Sequence, residues 1–176
     1  MQDTKVSNTI AILDLCSEIF NYPTIESIHK VKELGRLVDN EELKNFSLSL
    51  KAVEIEYIKL FSLNSTLNKT VPNASWWIDG KIMGKSFVEI NNIYNRNGCF
   101  VDMKNINLPQ DHISLMISFV AILLEEEKFE EALLFCNKYF KWLNEFELSL
   151  NESSDISFYP LCIGILKQQL TALEVS

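Results

Sequence analysis

Between Ile113 and Leu124 only Ser114 and Ser118 interrupt an apolar run, inside the stretch LPQDHISLMISFVAILLEEE from Leu108 to Glu127. A helix that is apolar on nearly every side has to be buried on nearly every side. Its twelve residues span about 18 Å as a helix, well short of the roughly 30 Å hydrocarbon core of a bilayer. The run therefore predicts the central helix of a globular domain rather than a membrane span. Pro109, Gln110, Asp111 and His112 precede it. At that end backbone N–H groups lack partners and the helix dipole is positive, so Asp111 is expected to cap the helix. His112, one of two histidines, is expected beside it and partly exposed.

What surrounds such a helix is bounded by composition. The chain has 176 residues, 47% of them hydrophobic, enough for one domain over 1–176 with a substantial core. Five glycines and four prolines are few for a many-turned β architecture. The net charge is −8, and Arg36 and Arg96 are the two arginines. Phosphate neutralisation is thus disfavoured, and no nucleic-acid partner is expected. An acidic surface is compatible with a cationic peptide or protein partner. Cys16, Cys99, Cys136 and Cys162 are far apart in sequence, and no basic region followed by an apolar core opens the chain. Reduced, mostly buried thiols in the cytoplasm are the expectation. The N-x-S/T sequons at Asn45, Asn64, Asn68, Asn73 and Asn151 carry no meaning in that compartment.

The remaining periodicities are helical. Apolar residues recur at three- and four-residue steps from Ser7 to Phe20, and again after Thr24 through Ile25, Ile28, Val31, Leu34 and Leu37. Tyr22-Pro23 separates the two runs. His29 falls off the stripe and reads as a solvated surface residue. A longer helix is expected from Glu41 to Ser62, carrying Leu43, Phe46, Leu50, Val53, Tyr57, Leu60 and Phe61. Asn64 to Gly80 reads as irregular and holds Trp76-Trp77. One of this pair is expected to plug the core and the other to meet a partner, without the sequence saying which. A helix from Ser86 to Asn95 stops at Asn97-Gly98. Beyond the central helix, Glu125-Glu126-Glu127 predicts a break near Glu126, because acids suit the start of a helix and not its end. A single amphipathic helix is expected from Phe129 to Leu150, and a last one opens near Pro160. The fold class is all-α, with about eight helices around a central buried one.

Two segments tempt a catalytic reading. Gly80-Lys81-Ile82-Met83-Gly84-Lys85-Ser86 resembles a phosphate-binding loop, but only three residues separate its glycines. Asp79 stands where the first glycine belongs, and no strand precedes it. A tight turn before a helix, with Gly80 and Gly84 supplying unusual backbone angles, is the simpler reading. Asp111-His112 could form an acid–base pair, yet neighbours on a helix point about 100° apart. No nucleophile motif accompanies them. Scattered histidines and thiols offer no metal-ligand spacing. No catalytic residue, cofactor or metal site is expected.

Taken in order, Glu56-Tyr57-x-x-Leu60-Phe61, Pro72-x-x-Ser75-x-Trp77, Gly80-x-x-Met83-Gly84, Glu89, Tyr94, Gly98, Pro109-x-Asp111-His112, Trp142 and Phe158-Tyr159 resemble the TorD/DmsD/NarJ-type chaperones. The resemblance runs from about residue 50 to 170. It implies an all-helical cytoplasmic protein that binds the immature catalytic subunit of a molybdopterin oxidoreductase. Binding is often at the subunit's N-terminal twin-arginine leader, and lasts until the cofactor is loaded. It also implies that Ser75, Trp77, Gly80, Gly84, Asp111 and His112 take part in recognition, and that the protein is not an enzyme. Trp76, Met83 and Pro109 join them in the expected partner-binding region, because the tryptophan pair, the Gly80–Gly84 turn and the Asp111-His112 mouth all interrupt otherwise regular helices. A helical adaptor for another partner, or a small hydrolase or nucleotide-using enzyme, are the alternatives. Turnover lost on changing His112 or Lys85 would mark the last of these.

Overall fold

The computed structural model describes residues 2–62, 70–102 and 106–174. The sequons at Asn64 and Asn68 and the opening of the expected irregular segment lie outside them. Ten helices are present among the described residues, in the order α1 (Gln2–Ile19), α2 (Ile25–Leu37), α3 (Glu41–Lys44), α4 (Leu50–Phe61), α5 (Ala74–Asp79), α6 (Lys85–Arg96), α7 (Ile113–Glu125), α8 (Phe129–Tyr139), α9 (Leu143–Ser153) and α10 (Phe158–Glu174). No strand accompanies them there, only one isolated antiparallel bridge between Asn73 and His112. The all-α architecture around a buried central helix is as the sequence predicts, with more and shorter helices.

Helix α7 is that central element. Ile113, Met116, Ile117, Val120 and Leu123 are fully enclosed, whereas Ile122 reaches solvent. The two serines that interrupt the run are both partnered. Ser118 Oγ lies 2.7 Å from Ser17 Oγ on α1, and Ser114 Oγ lies 2.8 Å from His112 Nδ1. A hydroxyl inside an apolar interface needs such a partner to offset its lost hydration. On another side Tyr94, Phe119 and Phe135 form a ring series from α6 through α7 to α8, with centroids 4.5 and 4.9 Å apart. A second aromatic cluster joins Tyr57, Phe61 and Tyr159 with Phe146 of α9.

The helix breaks explain where the expected segments divide. The single helix expected over 41–62 splits because Asn45, Ser47 and Ser49 favour caps over helix interiors. Ser49 Oγ accepts the Ala52 N–H at 3.3 Å and starts α4 afresh. The segment from Phe129 to Leu150 also splits, without glycine or proline. There the Trp142 indole donates to the Tyr139 carbonyl at 2.7 Å, satisfying an acceptor that a continuous helix would have used. The first helix starts earlier than Ser7, at Gln2. The stretch expected to be wholly irregular contains α5. Two expected core positions, Ile25 and Leu37, are exposed instead. Thr24 caps α2 in a reciprocal box with Ser27, and the break at Glu126 lies where the acidic run predicts it.

Two buried carboxylates tie loops to helices. Glu56 on α4 accepts from Ser154 Oγ at 2.6 Å and from the Asp155 N–H at 2.8 Å, fixing the entry to α10. Asp111 serves the N-terminal end of α7, as described below. Cys16, Cys136 and Cys162 are buried thiols outside any disulfide, and Cys99 is half-buried. Burial pushes the Cys16 thiol up to about 12, which makes it an inert filler of the core. No helix among the described residues is long and apolar enough to cross a membrane.

Candidate functional site at the mouth of the central helix

The residues singled out from the sequence come together at the N-terminal end of α7, and most are framework. Asp111 is fully buried. Its Oδ2 accepts the Ser75 N–H at 2.8 Å and its Oδ1 accepts from Asn73 Nδ2 at 3.1 Å. Its backbone carbonyl accepts the Ala74 N–H at 3.0 Å. Asp111 therefore caps α5, thirty-six residues away in sequence, and not α7 as expected. The reason is local geometry. The chain crosses the Pro72–Asn73 segment in a short bridge, with the Ile113 N–H donating to the Pro72 carbonyl at 2.8 Å. That crossing aims the carboxylate at the unsatisfied N–H groups of α5.

His112 takes the role left open. It is the N-cap of α7, with Nδ1 accepting the Ser114 N–H at 3.3 Å. An accepting Nδ1 puts the ring proton on Nε2. The ring is buried rather than partly exposed, and desolvation lowers its pKa to about 4. The imidazole is thus neutral at pH 7. Asp111 and His112 address different partners, one α5 and the other α7. This is the geometry of two caps and not of a proton relay.

Pro109 is half-buried, and its carbonyl receives the His112 N–H at 2.9 Å. Tyr94 of α6 donates its hydroxyl to the Gln110 carbonyl at 3.0 Å and pins the same loop from below. Ser75 is buried, and its Oγ accepts the Met83 N–H at 3.0 Å. One serine therefore links the Asp111 cap to the turn between α5 and α6.

That turn is shaped by its two glycines in different ways. Gly80 ends α5 in the left-handed region at φ +70°, where a side chain is disfavoured. Gly84 has an ordinary φ of −75°, contrary to expectation. It is glycine for space, because a Cβ there would lie 2.6 Å from Asp79 Cβ. Asp79 Oδ2 in turn accepts from the Ser86 N–H at 2.8 Å and the Ser86 Oγ at 2.6 Å. A carboxylate of the chain itself thus fills the N-terminus of α6, where a phosphate-binding loop would hold its ligand. Met83 adopts φ +56°, unusual for a residue with a long side chain.

The tryptophans divide. Trp77 stacks on Trp142 with ring centroids 6.2 Å apart and planes 13° from parallel. Its indole donates to the Val71 carbonyl at 2.8 Å. Trp77 is the core plug. Trp76 is 38% exposed, and beside it in sequence Ile78 is 45% and Met83 61% exposed. These three apolar side chains face solvent on and just after a rigidly held short helix. The cations around them are Lys81 and Lys85, both exposed. Lys85 lies 3.4 Å from Glu89. Glu89 also accepts from Lys138 at 3.0 Å and from the Tyr139 hydroxyl at 2.9 Å. Those two hydrogen bonds hold its carboxyl down to about 2.

Asn73, Asp79, Tyr94 and Ile78 belong to this site and were not singled out from the sequence as its residues. The signal for Asp79 was present, since its place ahead of Gly80 spoiled the phosphate-loop pattern. Asn73 and Tyr94 act through contacts 38 and 16 residues distant, which a local reading does not reach. Among the described residues no group of three or more His, Cys, Asp or Glu side chains gathers as a metal-ligand set.

The all-helical fold has a solved counterpart. The crystal structure of a protein from Archaeoglobus fulgidus, described as a candidate redox enzyme maturation protein, superposes with a TM-score of 0.71 at 22% identity. The match covers 94% of this chain and 93% of that one, so the two share a fold. No curated protein matches the chain. Residues 30–153 match the family described as nitrate reductase delta subunit. The chain belongs to that family, the NarJ/TorD type of maturation chaperone. The family assists molybdoenzyme maturation and partners nitrate reductase-type molybdoenzyme subunits.

Proposed function

We propose that this protein is a cytoplasmic chaperone, acting as one domain over residues 1–176, that binds the immature catalytic subunit of a molybdopterin oxidoreductase. It engages the subunit's N-terminal twin-arginine leader, and holds it until the cofactor is loaded. The observation that carries this reading is that Trp76, Ile78 and Met83 are left exposed on a helix and turn that are pinned from within. An apolar segment lying on such a preorganised surface loses little to ordering of the protein. In this reading Trp76 and Met83 touch the partner. Ser75, Trp77, Gly80, Gly84, Pro109, Asp111 and His112 hold them in place. The leader's arginines are steered by the net charge of −8 rather than paired at the turn, where lysines predominate. The protein does this by binding, with no chemistry of its own.

Calorimetry of the leader peptide against wild type, Trp76→Ala and Met83→Ser tests the reading. An aromatic anchor is expected to contribute on the order of 2 kcal/mol or more. Folded variants that bind as tightly as wild type would move the surface elsewhere. The client's molybdenum content in cells lacking the chaperone tests the loading step, and an unchanged content argues against it. Steady ATP or GTP hydrolysis lost in Lys85→Ala would favour an enzyme instead.

A further inference from the structure

The opposite end of α7 opens into a groove of about 730 Å³ between the N-terminal part of α1, the α7–α8 turn and the C-terminal part of α10. Val6, Ile10, Phe129, Leu133 and Leu173 line it. Phe129 is 47% exposed although it heads the apolar stripe of α8, and the other four are only partly buried. The lip is acidic. Glu125, Glu127 and Glu130 all line the groove and all reach solvent, with Lys5 as the one cation among the lining residues.

Two of these carboxylates, Glu125 and Glu127, are held against the preference of the α7 end, whereas Glu130 lies in the first turn of α8, where an acid is favoured. The α7–α8 turn closes in a Schellman motif, with the Lys128 N–H donating to the Leu123 carbonyl at 2.8 Å and the Glu127 N–H to the Leu124 carbonyl at 3.1 Å. Glu127 stands at its left-handed position with φ +58°, a place that favours glycine. Helix α6 ends in the same closure with Gly98 there. Glu125 and Glu127 also lie at the negative end of the α7 dipole. Glu126 is matched by Lys128 at 2.7 Å and does not add to the lip. Neighbouring Asp14 on α1 feels the crowding. Its carboxyl is raised first by burial and then by Glu125 and Glu18, with Lys30 opposing.

We propose that this groove docks a cationic amphipathic helix of a partner polypeptide. Its apolar stripe would lie on Phe129 and Leu133, and its lysines or arginines over Glu125, Glu127 and Glu130. The groove is walled by helices, and a helix laid in an apolar groove buries one stripe and leaves its charged sides at the lip. Carboxylates on that lip complement a basic helix and repel an acidic one or an anionic bilayer. This surface is separate from the Trp76–Met83 surface. The thirteen residues of α7 put the two ends of the helix about 20 Å apart. The inference holds whether or not the leader binds at the α5–α6 turn.

The test uses the full chain and a fluorescein-labelled 14-residue peptide of leucine and lysine at helical spacing, with a leucine–glutamate peptide as its counterpart. The lysine peptide is expected to bind by anisotropy, to weaken with salt, and to leave the glutamate peptide unbound. Glu127→Gly relieves the left-handed strain and so keeps the fold. Combined with Glu130→Gln it is expected to weaken binding about tenfold, as two exposed charges allow. Trp76→Ala is expected to change nothing. Absence of binding, equal binding of the glutamate peptide, or full affinity in the folded double variant would overturn the proposal. So would loss of binding in Trp76→Ala, which would place the helix on the other surface. Concentration-dependent dimerisation that excludes the peptide and is abolished by Leu133→Glu would assign the groove to a second copy, and overturn it too.

Discussion

The two ends of α7 handle their charge in opposite ways. At the N-terminal end a carboxylate and an imidazole are both buried, both hydrogen-bonded, and both spent on caps. What this end shows to solvent is a set of apolar side chains flanked by Lys81 and Lys85. At the C-terminal end three carboxylates stand in water around an apolar floor, one of them in a strained backbone conformation. Buried charge that is fully satisfied fixes a shape. Exposed charge left near a groove does little for the fold and is available to a partner. Acidity therefore has two meanings in one helix, and substitutions should separate them.

Removing an acid at each end sharpens the contrast most. Asp111→Ala leaves the Ser75 N–H and Asn73 Nδ2 unpaired in the interior, and should cost about 3–5 kcal/mol in urea unfolding. Asp111→Asn, which keeps an acceptor, should cost less. If Asp111→Ala unfolds within 1 kcal/mol of wild type, the cap on α5 is not the support described. Phe119→Ala in the middle of the same helix should cost a similar amount, about 3–5 kcal/mol.

The next effect depends on pH. Burial lowers the folded pKa of His112 to about 4, below the ordinary histidine value of 6.5. The fold therefore favours the neutral ring, and that contribution is complete above pH 6.5 and lost as pH falls toward 4. Over this window the loss attributable to His112 is on the order of 3 kcal/mol. Asn also caps helices, so His112→Asn should flatten the profile by that amount. Equal slopes for the two proteins would contradict a buried neutral imidazole.

At the far end the sign should reverse. Glu127→Gly removes both a left-handed side chain and a charge at the negative pole of α7. It should raise stability by about 1 kcal/mol in thermal unfolding. Glu125→Ala should gain only a few tenths of a kcal/mol. A destabilised Glu127→Gly would mean that this glutamate makes a contact the fold needs.

How far this was legible in the sequence differs along the same line. The apolar run, the break at Glu126 and the Thr24 cap are local signals, and each lies where its pattern put it. The divisions at Ser49 and Trp142 are local too, but a cap inside an apolar period is masked by the period itself. Asp111 was placed at the right end of the right helix and given the wrong partner. A carboxylate beside a helix start satisfies that helix by default, and only the crossing at Asn73 redirects it. His112 was expected partly exposed because histidine is polar. Its burial follows from the cap that it inherits. The groove at the other end joins α1 to α7, α8 and α10, whose lining residues lie more than a hundred positions from those of α1, and no periodicity reports such a meeting.

The stacked indoles carry a consequence for how the protein can be watched. The chain has three tryptophans; Trp77 and Trp142 are locked face to face, and Trp76, 38% exposed, is the most accessible of the three. Their light should separate accordingly. A quencher in solution should reach Trp76 first, while the paired rings should give a near-ultraviolet dichroism signal that survives as long as the core does. A ligand on α5 would then change the quenchable part of the emission and leave the dichroism alone. Loosening of the core would do the reverse. The protein thus carries an internal pair of probes, one for occupancy and one for integrity, readable without any label.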